Sequence, residues 1–189
     1  MRKATELLVE EHDLIEKALA LLEKASDWVE SGKDVDPEIF LQLGEFIRNF
    51  ADRCHHAKEE DLLFKRMEQR GIPREGGPIG QMLLEHDEGR RYTRAMVAAA
   101  EQWKTDGDRS RAVEVAQNAR KYAELLRQHI FKENNILYPM GERFLSERDF
   151  AELEAEFARV EREVVGEGVH EKYAQLVEHL ERRFQPEPR

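Results

Sequence analysis

The sequence predicts an all-α fold, an up-down-up-down four-helix bundle with additional C-terminal helices, in one domain spanning residues 1–189. Three observations predict it. Only 11 Gly and 6 Pro interrupt a chain of 189 residues, and its richness in Ala, Leu, Glu, Lys and Arg is the composition of long helices rather than sheets. Apolar residues recur at steps of three and four, the period of a helix with one buried face. The turn-forming residues gather at a few points, so the connections are short and successive long helices pack antiparallel.

The first helix runs from about Lys3 to Glu30, with Leu8, His12, Ile15, Leu19 and Leu22 on one face. Ser31-Gly32 ends it, and Asp36-Pro37 supplies the cap and first-turn residues of the second helix, which reaches about Arg70. The loop Gly71 to Gly80 holds four glycines and two prolines and is the clearest break in the chain. A third helix starts near Pro78 or Ile79 and closes at Thr105 to Asp108. The fourth carries Val115, Ala119, Tyr122, Leu126, His129, Glu133 and Ile136 on one stripe, and Pro139 to Gly141 marks its end. The bundle core therefore covers about 3–140. Ser146-Glu147-Arg148-Asp149 resembles a capping box that opens a fifth helix, and Gly166 and Gly168 separate it from a last helix over about Val169 to Phe184. The tail Gln185 to Arg189 is expected to fray.

A net charge of −10 argues against nucleic acid as a partner, because phosphate neutralisation requires clustered Lys and Arg. The longest uncharged stretch, Gly76 to Leu84, is nine residues, too short to cross a bilayer, so no membrane partner is expected. The opening residues lack an apolar signal core, and the single Cys54 excludes an internal disulfide. These features point to the cytoplasm. Oligomeric state is open, since the amphipathic C-terminal helices can cover the bundle or meet a protein partner.

An internal repeat carries the chemistry. Glu11-His12-Asp13 recurs as Glu85-His86-Asp87, and His55 with Lys58-Glu59 recurs as His129 with Lys132-Glu133, all at an offset of 74. His at i and Glu at i+4 share a helix face, one turn apart. His12, His86, His129 and Glu133 lie on apolar stripes, and His55 and Glu59 share a face with Ile47, Ala51 and Leu62. An unpartnered buried carboxylate costs on the order of several kcal/mol. Two cations among His12, His55, Glu59, His86, His129 and Glu133 compensate that cost, so these six are the candidate metal ligands. One such pair is ordinarily a surface ion pair; two copies in register are not.

His56 and Glu60 form a rival i, i+4 pair, but 74 residues on they meet Ile130 and Asn134, so His56 is read as a supporting or surface group. Glu16 corresponds to Arg90 and is read as a surface charge. His170 and His179 lack a partner in the repeat and are assigned to packing or exposure. Tyr122 and Tyr138 lie near the fourth helix's ligands, where core packing is their default, and Cys54 is read as a small buried hydrophobe.

The phrases His55-His-Ala-Lys-Glu-Glu-Asp-Leu-Leu-Phe64, Met82-Leu-Leu-Glu-His-Asp-Glu-Gly89 and His129-Ile-Phe-Lys-Glu-Asn-Asn-Ile-Leu-Tyr-Pro139, with His12, resemble the hemerythrin-like family of HHE cation-binding domains over about residues 5–140. The resemblance implies a non-haem di-iron centre. By position, His12 and His55 bind one iron, His86 and His129 the other, and Glu59 and Glu133 bridge them, with an oxo or hydroxo group between. Zinc or manganese are the substitutes to consider. Oxygen-carrying members have a second His one turn after the third-helix ligand, where this chain has Arg90. With four His it is more similar to bacterial di-iron proteins associated with iron–sulfur repair and nitric oxide stress, and to the iron-sensing domain of an F-box protein.

Two functions follow. The first is a di-iron protein whose metals bind or sense oxygen, nitric oxide, peroxide or iron itself. The alternative is a metal-stabilised structural or interaction bundle without redox chemistry, perhaps on zinc; six N and O ligands fit closed, thiol-rich zinc sites poorly.

Overall fold

A computed structural model describes residues 4–166 and 168–184, and every regular element among them is helical. The elements are α1 (Ala4–Glu30), α2 (residues 38–69), α3 (Pro78–Asp106), α4 (residues 109–144), α5 (residues 147–165) and α6 (Val169–Arg183). The fold class is the one expected, and none of these helices is long and apolar enough to cross a membrane. The expected fraying at residues 185–189 falls outside the described residues.

Local chemistry sets the ends. Asp36 accepts a hydrogen bond from the Glu38 amide at 2.9 Å at the start of α2. Pro78 occupies the first turn of α3, where its missing N–H costs nothing. Gly107, at φ 70°, closes α3 on the Trp103 carbonyl, a conformation that favours glycine. Asp108 then caps α4 through the Ser110 amide, and Ser146 and Asp149 form the full capping box of α5.

Two expectations about α4 are corrected. The helix does not stop at Pro139–Gly141 but continues to Phe144. Glu133–Leu137 is a π-helical segment, and Pro139 falls in the first turn of the α segment after it, where a proline is tolerated. The same wide turn rotates the stripe: Ile136 is 51% exposed, while Leu137 and Tyr138 are buried.

Wide turns also run through α2, over Ile47–His56 and Glu59–Leu63, and end α5 at Glu161–Val165. The Ala57 amide bonds to the Asp52 carbonyl, five residues back, and Phe64 and Tyr138 repeat that pattern to Glu59 and Glu133. Such segments are rare and concentrate at functional sites.

The core is divided into two apolar clusters. One contains Ile15, Leu19, Phe50, Met96 and Leu126, with α6 residues Tyr173 and Leu180. The other contains Leu8, Leu63, Ile79, Met82 and Leu137, with α5 residues Phe150 and Phe157. Burial of each large apolar side chain contributes about 1.5–3 kcal/mol. On α1 and α3 a histidine, and on α4 Glu133, separates the two clusters, so a buried polar layer crosses the bundle. Helices α5 and α6 pack over α1 and α2 and cover the first hairpin.

Candidate metal centre

The layer contains all six residues singled out by the repeat. His12, His55, His86 and His129 are each 1% exposed, and Glu59 and Glu133 are fully buried. With His56 they fall into two groups that share Glu59: His12, His55, Glu59 and Glu133, and His56, Glu59, His86 and His129. Within each, one donor atom per residue lies within 4.8 Å of the others.

Hydrogen bonds fix which ring nitrogen faces inward. His55 Nδ1–H donates to Glu11 Oε2 at 2.8 Å, and its repeat counterpart His129 Nδ1–H donates to Glu85 Oε2 at 2.9 Å. His12 Nδ1–H donates to Asn134 Oδ1 at 2.8 Å and His86 Nδ1–H to Glu60 Oε1 at 2.7 Å. Each acceptor is a carbonyl or carboxylate oxygen, so each Nδ1 carries a proton, and in the neutral ring the Nε2 that faces inward is the lone-pair donor. Imidazole ligands held in this way are the usual outer support of a protein metal site.

Four of the inward atoms lack hydrogen-bond partners. His12 Nε2, Glu59 Oε2 and both oxygens of Glu133 are buried and unsatisfied among the described residues. Their neighbours are close all the same: His12 Nε2 lies 3.3 Å from Glu133 Oε2, and His129 Nε2 lies 3.1 Å from Glu133 Oε1. Glu133 thus points one oxygen at each histidine group. Glu59 Oε2 lies 3.6 Å from His55 Nε2 and 3.5 Å from His86 Nε2, while its Oε1 accepts from the Tyr138 hydroxyl. His86 Nε2 and His129 Nε2 are 2.9 Å apart. Two nitrogens about 2.1 Å from one ion, at right angles, stand about 3 Å apart.

The electrostatics agree with a cation here. Burial and the Glu133 carboxylate push Glu59 well above the usual carboxylate range. Although burial opposes it, the His129 and His12 rings hold Glu133 well below that range. Burial lowers His55 to about 3 and takes His86 well below its ordinary value, so both are neutral, the form that binds metal. Burial opposes protonation of His129, yet Glu133 and Glu85 raise it to about 9. A buried cation is thus already favoured beside Glu133.

Sequence reasoning set His56 aside, but the structure buries it, with its ring stacked on His86 at 3.8 Å between centroids. It joins His86 and His129, so this layer holds five histidines. The repeat concealed it because its counterpart is Ile130; the wide turn Ile47–His56, absent from the matching part of α4, lets adjacent His55 and His56 both reach inward. Glu11, Lys58, Glu85 and Lys132 were visible only as markers of the repeat. Lys58 Nζ donates to Glu11 and Glu161, and Lys132 Nζ donates to Glu85, so the carboxylates that orient His55 and His129 each have their own ammonium.

The remaining readings resolve as follows. Cys54 is buried, and burial keeps its thiol well above the ordinary range, as suits a packing residue. Glu16 is exposed. His170 contacts Glu161 and Cys54 on the outer side of Lys58. Arg90, in place of a further histidine, donates to Asp52 and Glu60.

Compared with known protein families, residues 3–141 match the Hemerythrin HHE cation binding domain. A comparison with curated proteins finds no match.

Proposed function

Because the chain belongs to the hemerythrin HHE cation-binding family, we propose that its buried layer holds two iron ions, one between His12 and His55, the other among His56, His86 and His129. Glu59 and Glu133 serve both positions. The observation that supports this most is the set of unsatisfied inward atoms on His12, Glu59 and Glu133, left over after every candidate imidazole's Nδ1 has found an acceptor. In water-free surroundings those atoms are costly unless a cation meets them. Cys54 belongs to a different cluster, so the donor set is nitrogen and oxygen only, which suits iron better than structural zinc.

Paired iron supplies reversible binding and one-electron chemistry toward oxygen, nitric oxide or peroxide. The chain determines where such a ligand can go. The His12–His55 group offers two imidazoles and the other group three, so the former position keeps more room for an incoming small molecule. Tyr138 stands beside it: its ring stacks on His12 at 5.8 Å and its hydroxyl donates to Glu59. That phenol would hold the Glu59 carboxylate in place beside the metal positions. The flanking apolar clusters exclude bulk water from the layer.

Anaerobic reconstitution with ferrous iron, followed by oxygen or nitric oxide, tests the reading. Two irons per chain and a new visible absorption band or nitrosyl signal are expected. Two irons with no spectral response to any of these ligands would remove the sensing role, and stoichiometric zinc without iron in freshly purified protein would favour the structural bundle.

A further inference from the structure

Beside the three-histidine group, helices α2, α3 and α4 enclose a cavity of about 310 Å³. The volume lies at the lower end of small-molecule sites. Its inner wall is formed by Ile47, Gly89, Thr93 and Tyr122, and His56 borders it on the side of the metal layer. Gly89 keeps this wall open: a Cβ there would stand 3.3 Å from both Tyr122 and Leu126, tighter than ordinary packing. The Tyr122 hydroxyl is buried and has no hydrogen-bond partner among the described residues.

The rim has the opposite character. Arg48, Arg90 and Arg94 line it against one carboxylate, Asp52, which Arg90 already engages at 2.7 Å. Arg48 and Arg94 are exposed, and neither makes an ion pair among the described residues. Glu45, which Arg48 attracts without an ion-pair contact, accepts from Lys172 at 2.8 Å. A chain of net charge −10 thus gathers uncommitted guanidiniums at the mouth of a small apolar cavity that contains one unmet hydroxyl.

We propose that this cavity is a binding site for a short organic monocarboxylate, its carboxylate held by Arg48 and Arg94 and its apolar body lying against Tyr122 and Ile47. Guanidiniums at the mouth favour a carboxylate head, which they can grip with paired N–H donors. The unmet Tyr122 hydroxyl adds a preference for an oxygen acceptor part-way along the tail. Arg90 links the site to the metal layer, since it donates to Glu60, which accepts from His86. The site is separate from the proposed metal reading and does not require it.

Calorimetric titration of the purified full-length protein, with metal content measured on the same sample, tests the proposal whether or not iron is present. Pentanoate is expected to bind one per chain, more tightly than acetate by about threefold or more for each added methylene that enters the cavity. 4-Oxopentanoate is expected to bind more tightly than its isostere 4-methylpentanoate, and Tyr122→Phe to abolish that difference. Arg48→Gln and Arg94→Gln, both at exposed positions that the fold does not use, should each weaken carboxylates by about tenfold. Absence of heat with every carboxylate would overturn the proposal. So would inorganic phosphate or butylamine binding as tightly as pentanoate, or unchanged affinity in the double arginine variant.

Discussion

The two helical hairpins, α1–α2 and α3–α4, repeat one plan at an offset of 74 residues, and the contrast between them is informative. Each donates a first-helix histidine, a second-helix histidine and a glutamate, and each orients its second-helix histidine with the glutamate that precedes its first-helix histidine. They diverge at the edges of that plan. The first hairpin has a longer run of wide turns, an extra inward histidine and a sealed outer face: Lys58 is 2% exposed beneath α5 and α6. In the second, the Lys132 side chain is 33% exposed and Glu85 is shared with Gln81. The two halves therefore match in the six residues of the repeat and differ in the groups that surround them.

The largest expected effect breaks the shared element. Glu59→Ala removes a carboxylate common to both groups, and elemental analysis should find both ions lost; retention of two would separate Glu59 from the centre. Next, Lys58→Met leaves Glu11 buried without its ammonium and should cost about 3 kcal/mol in denaturant unfolding. The matched Lys132→Met, at the solvent-facing pair, should cost less than about 1 kcal/mol. Equal costs would show that α5 and α6 do not seal the first hairpin.

His56→Ile makes the first hairpin match Ile130 of the second. The fold should persist, because the change is to the residue its counterpart already packs, and the second ion should be held about 10–100-fold less tightly in chelator competition. Unchanged retention would return His56 to a packing role.

The smallest effect concerns the cover over the first hairpin. Burial opposes ionisation of Glu161, but His170 and Lys58 pull it down to about 2, below its ordinary 4.5. Its contribution to stability is complete above about pH 4.5 and is lost as pH falls toward 2. Glu161 raises His170 above its ordinary 6.5, so that contribution is complete below about pH 6.5 and is lost as pH rises further. Thermal melts should therefore show a plateau between these values. His170→Gln should remove the alkaline side and also weaken the acid side, which His170 helps to set, each by under about 1 kcal/mol since both groups are partly exposed.

Much of this was legible in the sequence, for a physical reason. A buried site assembled from two copies keeps its spacing, because a single insertion would rotate ligands out of the layer; hence the six inner residues and the four long helices could be read directly. What escaped depends on turns that no α-helical period describes. His56 was set aside because the repeat gives it Ile130 as counterpart, the proline and glycine of Pro139 to Gly141 ended the expected fourth helix too early, and an unbroken α-helical period put Ile136 in the core. The tasks of Glu11, Lys58 and Asn134 were hidden differently. Their residue types are ordinary on a helix surface, and only the docking of neighbouring helices reveals what they hold.

His12 is gripped by Asn134 and His86 by Glu60, so each hairpin fastens an imidazole belonging to the other. Neither half finishes its own ligands. Severing the chain within the 71–77 loop would leave both contacts physically available, yet two separated pieces would each carry one loose ring and bind any ion poorly. Association of the halves and capture of metal are consequently a single equilibrium, and occupancy of the centre reports whether the molecule is assembled.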